Sequence, residues 1–320
     1  MRTIALLGGT GFVGKHFTHL LIKKGWNVKI LTRQRERHRH LLVLPKVELI
    51  SADVYQQEQL NTHLEGCEVV VNLVGILNET ENDGSGFRRA HVELPQKIVT
   101  ACQVNQIQRL LHLSALNAHP HREVGKSHYL CTKGEGEDFL HSTQEVLHVT
   151  TFKPSAIFGE GDSFLNRFAS LLRVPSPIFM LPSGKARLSP VWVEDVVEVM
   201  FKALDNPKYY GQRYHLCGPK IYTLRELVEH LAKVMEVKRL VIPLDDKLSY
   251  FTARVMELVP GRPYSRDNYH SFTLDSVCTD NHFAHFGMAP HTLEEIVPRY
   301  FGPFSAKATR YSQYRSHARR

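Results

Sequence analysis

Three side chains in this sequence have types and a spacing suited to acid–base chemistry. Tyr129 and Lys133 stand four residues apart, and Ser114 lies fifteen residues before the tyrosine. On a helix, residues i and i+4 share a face, so the lysine ammonium can stabilise the phenolate and lower a pKa that is normally near 10. A serine hydroxyl at a neighbouring strand end can hydrogen-bond a substrate oxygen. The set predicts catalysis with Tyr129 as acid or base; the alternative is a helix-start aromatic beside a solvated lysine.

A glycine-rich stretch near the start of the sequence is suited to binding a phosphate. A short apolar run, Thr3 to Leu7, leads into glycines spaced G-x-x-G-x-x-G, and a helical apolar pattern follows. Glycines let the backbone turn tightly and approach an anion, and the first N–H groups of the next helix point toward it. A tight turn without a ligand would use the same residues, but the flanking strand and helix favour a nucleotide. The predicted cofactor contacts are Gly8, Thr10, Gly11, Phe12, Val13 and Gly14.

The end of the second predicted strand bears on which nucleotide binds. In a doubly wound sheet this strand end meets the adenosine ribose, where an acid accepts the 2′-OH of NAD and an arginine pairs with the 2′-phosphate of NADP. Arg33 stands there, and no acid does. We therefore expect NADP(H) rather than NAD(H), with Arg35 and Arg37 as candidate helpers; each of these two is equally compatible with a solvated basic loop. A bound nicotinamide would supply or take hydride beside Tyr129.

Short apolar runs alternate with helical patterns through the first half of the chain. This alternation predicts the α/β class, with a doubly wound parallel sheet. Beyond Gly159 the alternation loosens and prolines become frequent, which predicts a smaller, mixed C-terminal lobe that supplies the substrate pocket. We expect a nucleotide-binding domain over 1–160 and a substrate lobe over most of 161–302. A segment near 191–217 is expected to return to the main sheet, and 303–320 to form a flexible basic tail.

The net charge of +8 is concentrated in two clusters, Arg33 to His40 and Lys307 to Arg320. A 2′-phosphate explains the first cluster, and no aromatic platform is interleaved with it, which argues against nucleic acid. The tail is suited to anionic lipid or to a membrane complex, or it only keeps the chain soluble. No apolar run approaches the length of a membrane span. The expected location is the cytoplasm, peripheral to the inner face of a membrane.

The cysteines and histidines predict no metal site. The five cysteines are an odd number without a C-x-x-C pair, so we expect reduced, mostly packed thiols and no need for a disulfide. His119, His121 and His128 lie in a proline-bearing segment without a helical i, i+4 pair or a nearby acid. They are expected to be surface or substrate-loop residues.

These motifs together resemble the extended and atypical short-chain dehydrogenases/reductases, a group similar to NAD-dependent epimerases and dehydratases. The resemblance runs from residue 1 to about 300, and it is nearest to the branch that contains the NAD(P)H-binding accessory subunit of respiratory complex I. The stretches that carry it are Gly8 to Gly14, Leu113 to Ala115, Tyr129 to Lys133, Lys153 to Gly159, Val193 to Val196, Ser265 to Asn268, Thr279 to Asn281, Phe286 to Met288 and Thr292 to Ile296.

The resemblance implies a Rossmann fold, bound NADP(H), and catalytic roles for Ser114, Tyr129 and Lys133. Carried over position by position, it also implies further cofactor contacts. Asp53 and Val54 would border the adenine; Leu73, Val74 and Gly75 would line the cofactor; and the stretch containing Pro154 and Ile157 would lie by the nicotinamide. His91 stands where typical members have the asparagine that holds a proton-relay water.

Two function classes remain open on these grounds. In the first, the protein is an NADP(H)-dependent oxidoreductase or epimerase acting on a small or lipid-like substrate, and the intact Ser114, Tyr129 and Lys133 favour it. In the second, it is a non-catalytic nucleotide-binding accessory or assembly protein of a respiratory or quinone-related membrane complex. The family branch, His91 and the basic tail favour this alternative. The sequence carries no signature of the substrate or of the oligomeric state.

Overall fold

The structure is a computed structural model that describes residues 2–79, 81, 83–121, 127–259 and 262–302. The flexible basic tail expected over 303–320 lies outside the described residues. The strands are β1 (Thr3–Leu7), β2 (Asn27–Thr32), β3 (Val47–Ser51), β4 (Val69–Asn72), β5 (Arg109–Leu113), β6 (His148–Pro154), β7 (Ile157–Phe158), β8 (Ile178–Leu181), β9 (Arg187–Leu188), β10 (Val191–Trp192), β11 (Arg213–Leu216), β12 (Tyr222–Thr223) and β13 (Leu240–Pro243).

The helices are mostly short, and they alternate with the strands in the first half of the chain. They are α1 (Phe12–Lys23), α2 (Gln57–His63), α3 (Ser85–Arg88), α4 (Leu94–Val104), α5 (His128–Ser142), α6 (Leu165–Leu172), α7 (Val193–Ala203), α8 (Leu224–Val234), α9 (Asp246–Met256), α10 (Arg266–Phe272), α11 (Leu293–Ile296) and α12 (Pro298–Phe301). Among the described residues, no helix has both the length and the apolar character that crossing a bilayer requires.

The chain forms two compact units. The first unit comprises Met1–Pro154, Val196–Leu216 and Asp280–Phe286, and the second comprises Ser155–Asp195, Cys217–Thr279 and the chain from Gly287 onward.

A seven-stranded parallel sheet forms the centre of the first unit. Its strand order is β11-β6-β5-β4-β1-β2-β3, and every neighbouring pair is parallel. The chain moves outward from β1 through β2 to β3 and then returns to the other side of β1 with β4. At such a reversal the loops that follow the two central strands diverge and leave a crevice for a ligand. The predicted α/β class and doubly wound parallel sheet are confirmed.

The helical stretch around Pro95 is continuous rather than broken. α3 leads into a π-helical turn, Arg89–Glu93, and then into α4, where Pro95 is the second residue. Proline lacks an N–H group, so the first turn of a helix tolerates it. The wider π turn comes directly before α4 and holds His91; such turns often mark functional sites.

The second unit has a hydrophobic core of its own. Leu165 and Leu172 of α6 pack in this core with Leu227 and Leu231 of α8. Around it lie three two-stranded sheets, pairing β7 with β10, β9 with β12 and β8 with β13. Helix α8 begins with a capping box, in which Thr223 and Glu226 each satisfy the other's backbone N–H.

The expectation of five reduced thiols is wrong for two of the cysteines. Cys217 and Cys278 form a disulfide, with Cα atoms 6.0 Å apart, within the second unit. Their 61-residue separation concealed the pairing, because only the fold brings the two positions together. The other three, Cys67, Cys102 and Cys131, are free and buried as expected.

Candidate functional site

The glycine loop after β1 lies against the backbone that follows β4. Gly8 has a φ of +83°, and a Cβ there would stand 2.9 Å from the carbonyl carbon of Leu73. A Cβ on Gly14 would stand 2.5 Å from the carbonyl oxygen of Gly8. Both positions therefore require glycine, because any side chain would meet backbone that cannot move aside.

Helix α1 begins directly at this loop. Gly11 is its N-cap residue and provides no side-chain hydrogen bond, so no capping side chain covers the first-turn N–H groups. Thr10 and Gly11 lie at the loop tip, and Phe12, Val13 and Gly14 form the first turn. An uncapped helix start beside closely packed glycines fits a diphosphate bound through peptide N–H groups.

Cationic side chains surround the end of β2. Arg33 is exposed one residue beyond the strand, and its guanidinium lies 6.0 Å from the centre of the Tyr55 ring. The guanidinium of Arg35 is hydrogen-bonded within the protein: its Nε donates to the carbonyl of Leu49 at 3.0 Å. Burial, with the nearby charges of Lys15, His40 and Arg37, lowers the pKa of His38. This edge is thus electropositive and suited to an anion.

The predicted adenine neighbours follow β3. Asp53 is partly buried, and its carboxylate accepts the N–H of Tyr55 at 3.1 Å in a local turn. Val54 is buried in the core of the first unit. Because the carboxylate of Asp53 is committed to its own turn, it is oriented by the backbone around it.

The stretch after β4 is fixed by two buried side chains. Asn72 accepts the N–H of Val74 at 3.1 Å and donates to Nδ1 of His112 at 3.2 Å. The ammonium of Lys133 donates to the carbonyls of Leu113, at 2.9 Å, and Val74, at 3.4 Å. One lysine of α5 therefore ties the ends of β4 and β5 together.

Lys133 lies close to the predicted cofactor-lining backbone. A Cβ on Gly75 would stand 3.3 Å from the lysine Nζ. Burial lowers the pKa of Lys133 to about 8, against an opposing effect of the Glu137 carboxylate. Most of the lysine population therefore carries its charge at pH 7.

Tyr129 packs against two aromatic residues of the α3–α4 stretch. Its ring lies 5.4 Å from the ring of His91 and 6.1 Å from that of Phe87, both edge to face. Tyr129 itself is partly buried at the start of α5. The i, i+4 spacing within this helix places Tyr129 and Lys133 on one face, as the sequence indicated.

Both ring nitrogens of His91 bond to the protein. The hydroxyl of Thr132 donates to the carbonyl of His128 at 2.8 Å, so it accepts a hydrogen bond from Nδ1 of His91 at 3.0 Å. Nε2 then accepts the N–H of Ile76 at 3.3 Å. Burial, with the nearby positive charge of Lys133, lowers the pKa of His91 well below its usual range. His91 is thus a neutral imidazole that anchors the segment after β4 to α5.

Ser114 belongs to a buried polar cluster that the sequence reasoning missed. Its hydroxyl donates to Oε2 of Glu137 at 2.8 Å. Oε1 of the same carboxylate accepts from Lys153 Nζ at 3.0 Å and lies 3.1 Å from Arg213 Nε. Glu137 stands four residues after Lys133, so it continues the i, i+4 spacing of Tyr129 and Lys133. This spacing is the sequence signal that could have indicated Glu137.

The remaining predicted contacts fall in different units. Pro154 is buried at the end of β6 in the first unit, and its carbonyl accepts the N–H of Leu116 at 3.0 Å. Ile157 belongs to the second unit, where β7 pairs with β10.

A cavity of about 210 Å³ opens beside Glu137 in the first unit. Ser114, Tyr129 and Lys133 do not line it, but Glu137, which accepts the hydrogen bond of Ser114, does. Across the described ranges of the chain, no group of three or more His, Cys, Asp or Glu side chains is placed to hold a metal ion. The cavity is lined by Ala118, His119, Pro120, His121, Gly134, Glu137, Asp138, Lys153 and Arg213.

Comparison with known proteins identifies the family of this chain. The sequence matches the NAD dependent epimerase/dehydratase family over residues 4–217. The mitochondrial 40 kDa subunit of NADH-ubiquinone oxidoreductase from Neurospora crassa is 28% identical over 241 residues, which cover 74% of this chain and 61% of that subunit. A ceramide reductase from Caulobacter vibrioides is 27% identical over 244 residues, or 76% of this chain and 74% of the reductase. A 4-hydroxy-2-methyl-3-oxo-4-farnesyl-3,4-dihydroquinoline-1-oxide ketoreductase from Stigmatella aurantiaca is 24% identical over 253 residues, or 74% of each chain.

Solved structures share the fold at lower identity. A nucleoside-diphosphate-sugar epimerase from Staphylococcus aureus superposes with a TM-score of 0.73 at 20% identity, over 93% of this chain and 100% of that one. The Bordetella bronchiseptica enzyme WbmH, solved in complex with NAD+, gives a TM-score of 0.70 at 17% identity, over 93% of this chain and 96% of that one. This chain therefore belongs to the NAD dependent epimerase/dehydratase family, among the extended and atypical short-chain dehydrogenases/reductases, in the branch whose relatives include the complex I accessory subunits.

Proposed function

We propose that this protein is an NADP(H)-dependent oxidoreductase that reduces the ketone of a lipid-like substrate, with Tyr129 as the proton donor. The observation that carries the proposal is the position of Lys133. Its ammonium holds the carbonyls of Val74 and Leu113, beside the backbone that packs on the glycine loop, and it projects from the same helix as Tyr129. One side chain thus connects the expected cofactor cradle to the expected acid.

The cofactor would be held by backbone at the glycine loop and by Arg33 at the end of β2. The diphosphate would accept hydrogen bonds from the N–H groups of the first turn of α1. Asp53 and Val54 would border the adenine. Arg33, exposed beside Tyr55, would pair with a 2′-phosphate. A bound nicotinamide supplies or accepts hydride.

The protein's own groups supply the proton. The charge on Lys133 favours the phenolate of Tyr129, so the tyrosine can release its proton to the substrate oxygen as negative charge develops there. Ser114 has one O–H, and it is directed at Glu137. Its help to the substrate oxygen therefore requires the hydroxyl to rotate away from that carboxylate.

A lipid-like substrate is supported by two relatives, the ceramide reductase and the ketoreductase of a farnesylated quinoline. Their names give a ceramide and a farnesyl-bearing dihydroquinoline oxide. The second unit has aromatic residues of its own, among them Phe164 and Phe168, whose ring centres lie 5.5 Å apart.

The test is a calorimetric titration with NADPH and NADH, followed by assays with long-chain ketones. We expect NADPH to bind at least about tenfold more tightly, and Arg33→Ser to remove that preference. Tyr129→Phe should keep cofactor affinity and lower turnover about a hundredfold or more. A folded protein that binds neither coenzyme would disprove the proposal.

The accessory role is the second candidate, and His91 favours it. Both nitrogens of this imidazole bond to Ile76 and Thr132, so the ring offers no simple route for relaying a proton. The complex I relatives point the same way. Tight coenzyme binding combined with no turnover of any ketone, in the wild type or in His91→Asn, is the result this role predicts.

A further inference from the structure

Helix α9 of the second unit turns an apolar stripe to solvent. Leu248, Phe251 and Val255 recur at the spacing of one helix face, and all three are exposed, Phe251 to 62%. The opposite side of the helix is buried through Ser249 and Ala253. The helical turn that follows α9 extends the stripe with Leu258, which is 86% exposed, and Val259.

The small sheet that precedes α9 is also apolar on its exposed face. In the parallel pair β8–β13, Ile178 lies beside Leu240 and Met180 beside Ile242. All four side chains are exposed, although alternate strand residues on one face are normally polar where that face meets water. Val241 is buried on the other face of the same sheet.

The stripe and the sheet are neighbours. Only Leu244 and Asp245 separate β13 from α9. The hydroxyl of Ser249 in α9 accepts the N–H of Ser183, two residues beyond β8, at 3.0 Å. We use the term apolar face for the exposed residues Ile178, Met180, Leu240, Ile242, Leu248, Phe251, Val255, Leu258 and Val259.

Exposed large hydrophobic residues are concentrated at this face. In the described part of the first unit they are single residues, as at Val104 and Val146, except for the adjacent pair Leu42 and Val43. Single exposed hydrophobic residues are ordinary, but a contiguous group on adjoining elements marks a surface that binds something.

Cations border the apolar face. On the α9 wheel, Lys247 and Arg254 fall beside the stripe, whereas Asp246 and Glu257 fall on the far side. Asp245 is used as the N-cap, accepting the N–H of Leu248 at 2.8 Å. Glu257 is paired with Arg266 at 2.9 Å. The charge available at the edge of the stripe is therefore positive.

We propose that the apolar face docks on the surface of an anionic lipid bilayer, with α9 lying in the plane of the interface. An apolar stripe with leucine and phenylalanine, flanked by lysine and arginine, is the pattern of an interfacial helix. A second copy of the chain fits less well, because a two-fold interface would bring the same cationic edge against itself. This docking requires neither a bound nucleotide nor turnover, so it is independent of the proposed reaction.

The experiment is flotation of the full chain, basic tail included, with vesicles of phosphatidylcholine alone or mixed with phosphatidylglycerol. The test variant carries Phe251→Ser and Leu258→Ser. Its matched control carries Leu42→Ser and Val43→Ser, two exposed apolar residues of the first unit, of which Val43 is 82% exposed. We expect the wild type and the control to float with the anionic vesicles and the test variant to partition about tenfold or more weakly.

Two further measurements keep the result interpretable. Thermal unfolding reports whether the test variant is folded, and Phe251→Trp should show a blue-shifted emission when anionic vesicles are added. Equal flotation of the test variant and the wild type would overturn the proposal, as would equal binding to vesicles of phosphatidylcholine alone. A wild type that ignores vesicles but forms a dimer, which the test variant does not form, would assign the face to self-association instead.

Discussion

At the scale of single residues, Glu137 is a buried carboxylate of the first unit whose stability depends on its partners. It is 1% exposed, yet its carboxylate contacts the Ser114 hydroxyl, the Lys153 ammonium and the Arg213 guanidinium. A buried carboxylate is stable only when charges and hydrogen bonds compensate it, and here both oxygens are used. Glu137 thereby determines where the Ser114 hydroxyl points.

We predict that Glu137→Gln lowers the free energy of unfolding by about 3–5 kcal/mol. The substitution leaves the Lys153 ammonium buried without its counter-charge, which is the costly way to break a buried ion pair. Chemical denaturation measures the loss. The matched control is Asp138→Asn, at the next position of α5: its carboxylate pairs with the same Arg213 at 2.7 Å but is half exposed, so its loss should cost less than about 1 kcal/mol. Equal effects of the two variants would contradict the prediction.

The sequence was informative about residues whose chemistry is visible from type and spacing. The glycine loop, with its strand before and helix after, and the Tyr129–Lys133 pair belong to this class. The partners of Glu137 do not, because Lys153 and Arg213 reach it from β6 and β11, strands adjacent only in the folded sheet. Nor did the sequence indicate that the Ser114 hydroxyl faces a carboxylate.

At the scale of elements, α5 is the helix against which the predicted site is assembled. It is buried on several sides, so its apolar pattern is weak, and glycines allow its neighbours to come close. A Cβ on Gly134 would overlap the backbone of His119 and Pro120, and a Cβ on Gly136 would overlap the carbonyl oxygen of His91. The π turn thus packs directly on the α5 backbone.

We predict that Gly136→Ala costs about 2–3 kcal/mol of unfolding free energy, because α5 and the π turn must separate to admit the methyl group. Coenzyme affinity should fall as well, since His91 also holds the N–H of Ile76 after β4. Denaturation and calorimetric titration measure the two effects. Glu135→Ala, at the preceding position of the helix, loses a partly exposed ion pair with Arg88 and a weak hydrogen bond, at 3.6 Å, from the thiol of Cys131; it should cost less than about 1 kcal/mol. An unchanged Gly136→Ala protein would refute the close packing.

The strands and helices differ in how clearly their own residue patterns predict them. The long buried strands of the parallel sheet, such as β1 and β6, stand out as apolar runs. The two-residue strands β7, β9, β10 and β12 carry no comparable pattern, because tertiary contacts alone define them. The exposed stripe of α9 was equally hidden, since the same periodicity fits a helix buried on that side.

At the scale of the whole molecule, a disulfide links the two ends of one long segment of the second unit. That segment runs from Cys217 to Thr279, and the bond joins Cys217 to Cys278. A cross-link of this kind stabilises mainly by restricting the unfolded chain, and more so for a long loop. The second unit also has its own core, so the bond adds to packing rather than replacing it.

We predict that Cys278→Ser lowers the free energy of unfolding by about 2–4 kcal/mol, as expected for a loop of this length. Wild-type protein in reductant should lose a similar amount, whereas reductant should leave the Cys278→Ser variant unchanged; that comparison separates the bond from any general effect of the reagent. Thiol titration of the denatured, unreduced wild type should detect only Cys67, Cys102 and Cys131. Detection of all five cysteines as free thiols would show that the bond does not form, and the second unit would then be held by its apolar core alone.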